Sequence, residues 1–554
     1  MDQKIENLLN ISLDATKEER EKSLNLNVGV SMAGDLWEII VKYNNDVSFL
    51  EEKYPGTTVD TLLGGYAVIT TAKENIEAIA DETVIDYVEK PKSLFFDLQY
   101  SKVASCIYDR GGVENESADG YGGKGVLTAI IDSGIDILNT AFIRDGQTRI
   151  VEIWDQNTDT VYTKELINEA ISEKRRIAYD EGQHGTNVAL IACGNDGVAY
   201  ESDILVVKLA VSRQNSFPRT VEVMKAFDYV VNAAMRFGQP VAINLSFGNN
   251  YGPHDGTSIL ENYIDEISKI WRMVICVGTG NEGIRGTHNF GILKDDTEIN
   301  IEFSVGDFQP SINFQIWKQY PDEFDVMLIS PSGSRIGPLR RIEEISRFVT
   351  GSTEILGFYG EPGPYSAIQE IYFDLIPVND YIDAGIWQIR LMPQRIVNGR
   401  FDIYFPSAAV LNDNTRLINN SVEMTLTIPS TARRVISVGA YDARREAYAD
   451  FSGRGAYDST VNKPDVVAPG VNIILMAGSV NERSVTGTSF ATPFVTGIAA
   501  LLMEWGIVRG NDMYMYGEKV KASLFKGARQ LTGYTQTPNN VTGWGAVCFR
   551  NSLP

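Results

Sequence analysis

Only three histidines and four cysteines occur in the 554 residues of this chain. With so few histidines, a general base of that type must be His184, His254 or His288. The cysteines (Cys106, Cys193, Cys276 and Cys548) show no CxxC spacing, which argues against a zinc ribbon or a redox pair. Two of them sit in the apolar runs LIACG and VICVG, so buried free thiols are expected. Basic residues are also scarce: 49 Lys and Arg stand against 72 Asp and Glu, a formal charge of −23. Such a surface repels phosphate and argues against a nucleic-acid partner. No compact acidic run stands out, so the charge reads as a solubility feature. No apolar run reaches the roughly 18 residues of a membrane span. The opening MDQKIENLLNISLDATKEER lacks the apolar segment of a secretory signal. Neither a membrane partner nor an export route is therefore expected.

What is present suits a multi-unit globular protein. The length exceeds one ordinary domain, and 44% hydrophobic residues are enough for more than one core. Residues 1 to about 23 read as a polar lead-in. From Trp37 the pattern runs strand, helix, strand, helix, strand (WEIIVKY, DVSFLEEKY, GGYAVITT, KENIEAIAD, VIDYVEK), a small α+β unit followed by the apolar tail SLFFDLQY. Between Tyr121 and about Gly286 the runs GVLTAIID, ILVVKLA, PVAINLSFG and MVICVGTG are apolar throughout and alternate with helical segments. That pattern predicts a parallel sheet with helices on both faces, with chemistry at the carboxyl ends of its strands. Residues 288 to 427 change rhythm to many short alternating runs, the signature of an antiparallel β-sandwich. The α/β pattern resumes at RRVISVGAYD. The chain thus divides into residues 1–100, 101–287, 288–427 and 428–554, with the third stretch inserted into the α/β unit.

Four positions carry chemistry. Asp132 ends the buried strand of AIIDSGID, and His184 in GQHGTNVA stands at a helix start. Ser489, in SVTGTSFATPFVTGIAALL, opens a helix with Pro493 in its expected first turn. Free N–H groups and the positive dipole end there favour an oxyanion. Asn281, in VICVGTGNEG, is presented by a Gly-rich turn and can donate to a developing alkoxide. Each feature alone has an ordinary explanation: a strand-end cap, a surface histidine, a helix N-cap, a turn residue.

Together, AIIDSGID, QHGTNVA, VGTGNEG and GTSFATP match in residues and order the signature blocks of the subtilisin superfamily, which this chain resembles over about residues 120–286 and 430–546. The order Asp, His, Ser is the one known for subtilisin. The resemblance implies a subtilisin-like α/β fold and a serine endopeptidase with Asp132, His184 and Ser489 as triad and Asn281 in the oxyanion hole. It also implies that Ser246, Phe247 and Gly248 line the substrate cleft, with Gly278, Thr279 and Gly280 as the facing wall. Asn187 replaces a second histidine frequent in the family, and Phe490 replaces a methionine, which implies lower sensitivity to oxidants. Residues 37–92 resemble a subtilisin-type prodomain, a chaperone and inhibitor that would stay in the cleft, with self-cleavage near Gln99 or Tyr100. The insert resembles a jelly-roll domain, and the whole layout is similar to clostridial Csp-type germination subtilases. This similarity implies a bacterial cytoplasmic or spore-associated protease that activates a zymogen in spore germination. No cofactor is implied for the chemistry; structural calcium is common in the family, but no ligand cluster can be assigned here. A regulatory pseudoprotease on the same scaffold is the alternative, and the complete set of Asp132, His184, Ser489 and Asn281 argues against it.

Overall fold

The computed structural model describes residues 4–31, 36–93, 120–211, 217–341, 345–456, 462–477 and 481–554. The apolar tail beyond Ser93, Gln99, Tyr100 and Cys106 lie outside the described residues.

Seven parallel strands form the centre of a nine-stranded sheet. Leu127–Asp132 lies in the middle, flanked by Val241–Leu245 and Asp203–Lys208. Met273–Gly278, Ile436–Asp442 and Val466–Pro469 extend the sheet on one side, and Ile150–Asp155 on the other. LTAIID, VAINL and MVICVG are buried at every position, as expected where helices cover both faces. Leu127, Ala129 and Ile131 face helices Thr220–Phe237 and Ile259–Ile267. Ile130, Ala242 and Cys276 face the opposite layer, which holds helices His184–Cys193 and Thr488–Met503. The stretch Thr488–Val508 is apolar enough to match a membrane span in composition, and its burial at the centre of this layer accounts for that composition. Cys193, Cys276 and Cys548 are buried, and burial pushes the thiols of Cys193 and Cys276 up to about 12.

Between Gly286 and Ser430 the chain leaves the sheet and builds two antiparallel sheets of six and five strands, running from His288–Ile292 to Arg416–Leu417. Phe303, Phe314, Phe373, Phe405 and Trp387 fill a shared core between them. EFDVMLI alternates buried and partly exposed residues, the period of two that a packed sheet face imposes.

The N-terminal unit is a four-stranded antiparallel sheet ordered Thr58–Leu62, Tyr66–Ala72, Leu36–Tyr43, Ile85–Glu89, with helices Phe49–Lys53 and Ile76–Ala80. This is the split βαβ arrangement. The sequence reading missed Thr58–Leu62, because only Leu62 of TVDTL is buried and an edge strand with one buried residue leaves no alternation to see. The lead-in forms helices Asn7–Asp14 and Lys17–Lys22, the second opened by a Thr16–Glu19 capping box. Leu8, Ile11 and Leu26 pack against Leu356, Phe358, Tyr372 and Ile376 of the insert.

Candidate active site

Four buried segments converge at the carboxyl ends of the central strands. Asp132 is the last residue of its strand and is fully buried, with Oδ1 accepting from the backbone N–H of Ser133 at 2.8 Å. His184 begins its helix, preceded by Gln183 in a left-handed conformation (φ 58°). Asp180 holds that turn in place: it accepts from the Thr186 N–H and from the Ser133 hydroxyl, both at 2.7 Å. Burial, reinforced by the nearby charge of Asp132, raises the Asp180 pKa. The His184 Nδ1–H donates to Asp132 Oδ1 at 2.7 Å, which leaves Nε2 as the basic nitrogen. Burial opposes protonation of this ring, but the Asp132 charge and hydrogen bond outweigh it and hold the pKa above its ordinary 6.5. Phe247 and Phe490 flank the imidazole, with ring centroids 6.1 and 5.4 Å away.

Ser489 is the second residue of its helix, where backbone N–H groups have no intrahelical acceptor. Pro493 is the sixth residue, not in the first turn as the sequence suggested. That position matters, because a proline there cannot donate to the Ser489 carbonyl. The Ser246 hydroxyl does so instead, at 3.1 Å, and the Ser489 hydroxyl donates back to the Ser246 carbonyl at 3.3 Å. The nucleophile's residue is thus tied to the end of the Val241–Leu245 strand. Asn244 strengthens the tie by donating to the Ser246 hydroxyl at 2.9 Å.

Asn281 follows the Met273–Gly278 strand, and its Oδ1 accepts from the Thr488 N–H at 3.0 Å. With the oxygen anchored, the amide nitrogen is the end left to face the cleft. Ser489, Asn281, Ser246, Phe247, Gly248, Gly278 and Gly280 line one slot. Thr279 departs from expectation: its hydroxyl bonds the Ser452 hydroxyl at 3.2 Å, and it is not among the residues that line the slot. Glu282, Ser407, Thr427 and Thr488 also line the slot and were not foreseen. Ser407 lies inside the insert, between strands Arg400–Tyr404 and Arg416–Leu417, and Thr427 at its end; nothing in their local sequence marks them as neighbours of Asn281.

His254 and His288 are placed elsewhere. They stack on either side of Tyr404, with centroids 3.8 and 4.5 Å away, and His288 Nε2 pairs with Asp402 Oδ1 at 3.0 Å. Among the described residues, no group of three or more His, Cys, Asp or Glu side chains is arranged to hold a metal ion. The site as built can activate a hydroxyl by a buried, carboxylate-oriented imidazole and receive an oxyanion on two N–H donors.

The model of the subtilase family matches residues 123–320 and 407–545, more than half of the chain, and that of the Csp protease B prodomain matches residues 3–92. The structure of the Clostridium perfringens CspB protease is 35% identical with a TM-score of 0.73, covering 78% of this chain and 93% of that one. Serine protease AprX of Bacillus subtilis is 32% identical over 150 residues, 24% of this chain and 32% of AprX. A PII-type proteinase of Lactococcus lactis subsp. cremoris is 23% identical over 469 residues, 73% of this chain and 24% of the proteinase. The chain therefore spans about a third and a quarter of the lengths of these two curated relatives.

Proposed function

The chain belongs to the subtilase family, and from that premise we propose that it is a serine endopeptidase working through Ser489, His184 and Asp132. The buried 2.7 Å pair of His184 and Asp132 at the cleft that holds Ser489 carries this reading. Ser489 Oγ attacks the scissile carbonyl carbon while its proton passes to His184 Nε2, and the carbonyl oxygen takes the negative charge. Asn281 Nδ2 and the Ser489 N–H stabilise that oxyanion. His184 then gives its proton to the leaving amine, and water releases the acyl group by the reverse sequence. Asp132 fixes the ring tautomer and stabilises the imidazolium. These steps draw on the chain's own side chains, one backbone N–H and water.

The N-terminal unit, matched by the prodomain family, packs on helices Thr220–Phe237 and Ile259–Ile267. On this reading it is cut by the enzyme itself near Gln99 or Tyr100 and remains seated. The likeness to the CspB protease supports, as the finer proposal, activation of a zymogen in spore germination by a bacterial protein of cytoplasmic or spore-associated location. The test compares purified wild type with Ser489→Ala. Wild type is expected to hydrolyse peptides and to show a cut N-terminal segment, while the variant does neither. An uncut wild type that hydrolyses nothing would overturn the endopeptidase reading in favour of a binding role.

A further inference from the structure

The loops at one end of the insert are laced into a single surface. Gln309 is buried and ties three of them. Its carbonyl accepts from the Ile382 N–H at 3.1 Å, and its Oε1 accepts from the Asn412 N–H at 3.0 Å and the Thr415 hydroxyl at 2.9 Å. Asp383 ties the fourth, accepting from the Ser352 N–H and the Thr353 hydroxyl, both at 3.0 Å. On this frame Phe308 is 69% exposed and Tyr381 46%, their rings edge to face with centroids 5.4 Å apart. Phe308 also holds a left-handed backbone (φ 62°), which a bulky residue adopts only at a cost. A strained ring facing solvent adds little to the core, whereas an aromatic pair on a fixed frame is the kind of anchor that a partner buries.

The charge at this end is of one sign. Residues 306–310, 350–353, 378–384 and 411–415 include Asp307, Asp380, Asp383 and Asp413 and no Lys or Arg. Asp307 and Asp380 directly precede the two rings, and both are exposed, as is Asp413. No hydrogen bond or ion pair among the described residues engages these three carboxylates. Lys22 reaches the rim, where its Nζ donates to the Val378 carbonyl at 3.4 Å, but Glu18 pairs with it at 2.8 Å. Arg416, the residue after the last loop, packs beside Gly286. Carboxylates next to exposed rings complement lysine and arginine, since the carboxylate pairs with the charged head while the ring receives the cation or its apolar stem. A neutral glycan would make no use of the charge, and a second copy of this chain, at −23, would be repelled.

This surface is near the cleft along the chain. Ser407 lines the slot beside Ser489 and bonds Glu282, and Asn412 is five residues further on. Five residues span at most about 18 Å, and the tight turn Ala408–Val410 shortens that reach. An extended substrate held at Ser489 therefore comes to Phe308 within roughly eight residues of the scissile bond.

Resting on the endopeptidase reading, we propose that Phe308, Tyr381 and the flanking aspartates form a docking site for a lysine- or arginine-rich segment of the protein substrate, outside the residues held in the slot.

The test uses the full chain carrying Ser489→Ala and a fluorescein-labelled peptide in which Lys and Arg alternate with Gly and Ser, followed by anisotropy. It should bind at least about tenfold more tightly than the same peptide with Gln or Glu in place of the basic residues. Phe308→Gly, which suits the left-handed backbone, and the pair Asp307→Asn with Asp380→Asn should each weaken binding about tenfold. A retained thermal transition checks that these variants fold. In the active chain, appending the basic segment to a cleaved peptide should lower KM, and Phe308→Gly should erase that gain without changing kcat on the unappended peptide. Equal binding of basic and neutral peptides overturns the proposal, as does binding unchanged in both variants or capture of cellohexaose in place of the basic peptide. A wild type that cleaves nothing, indistinguishable from Ser489→Ala, removes the endopeptidase reading, while the binding measurement still decides the docking site.

Discussion

Pro493 shows how a single residue shapes the site. By withholding an N–H it leaves the Ser489 carbonyl to the Ser246 hydroxyl, so the residue at the helix start is located by a neighbouring strand as well as by its own helix. Asn281 is placed by the same kind of anchoring, through the Thr488 N–H. Asn281→Ala is accordingly expected to lower kcat on the order of 10²–10³-fold with little change in KM. Steady-state kinetics on one peptide checks this; a loss confined to KM would mean that Asn281 holds ground-state substrate. His184 must be neutral to accept the Ser489 proton, and Asp132 holds its pKa above 6.5. Activity should therefore fall as pH drops through a value above 6.5, and Asp132→Asn should move that limb to lower pH while lowering the rate. A kcat/KM profile between pH 5 and 9 would reveal the limb, and an identical limb in the variant would exclude Asp132 as its cause.

At the scale of elements, two core helices begin against the N-terminal unit. The Thr220 N–H donates to the Lys92 carbonyl at 2.7 Å, and the Lys92 N–H donates to the Thr220 hydroxyl at 2.9 Å. The Ile259 N–H donates to Glu89 at 3.3 Å, so a carboxylate from the unit caps the helix Ile259–Ile267. Between these caps Tyr66 meets Tyr263 edge-on, with ring centroids 5.2 Å apart. Removing the ring by Tyr66→Ala should weaken docking of the unit on the order of 3 kcal/mol while leaving the slot beside Ser489 untouched. Urea titration followed through exposure of Trp37, which is buried in this unit, should show an earlier transition in the variant. Coincident transitions would mean that the Tyr66 contact carries little of the docking.

For the whole molecule, the decisive place is the junction of N-terminal unit, core loop and insert. Glu6, Glu89 and Lys92 form a buried cluster there, with Lys92 Nζ 2.7 and 3.0 Å from the two carboxylates. Glu370 of the insert faces it, bonded by Gln315 and by Asn7. Burial, helped by the charge of Glu6, lifts Glu370 from 4.5 to about 7. A carboxyl with a raised folded pKa gives its full stability below about 4.5 and loses it progressively as pH rises to about 7. The loss attached to Glu370 is on the order of 3 kcal/mol. The junction should thus loosen as pH rises from 4.5 to 7, and Glu370→Gln should flatten that part of the dependence. Thermal unfolding of both proteins across this range tests it; parallel curves would place the titration elsewhere.

Much of this was legible in the sequence because it is local. Strand-end Asp132, helix-start His184 and Ser489, and the turn at Asn281 each sit in a short motif, and the order of the four motifs together, not any one alone, marks the site. Apolar runs without alternation declared a sheet covered on both faces, and the change of rhythm after Thr287 declared the insert. The edge strand Thr58–Leu62 escaped because burial on one residue carries no period. Thr427 escaped for a different reason: its place in the slot depends on its distance from Gly248 and Gly280, residues about 180 and 150 positions away. By itself, then, the sequence determined the fold class and the residue types of the site, since local periodicity and motif spacing are properties of neighbouring positions. Only the tertiary structure decided how Ser489 is anchored, which helices the N-terminal unit caps, and what closes the slot. Those depend on contacts between segments whose proximity is set by packing and by no pattern within any one of them.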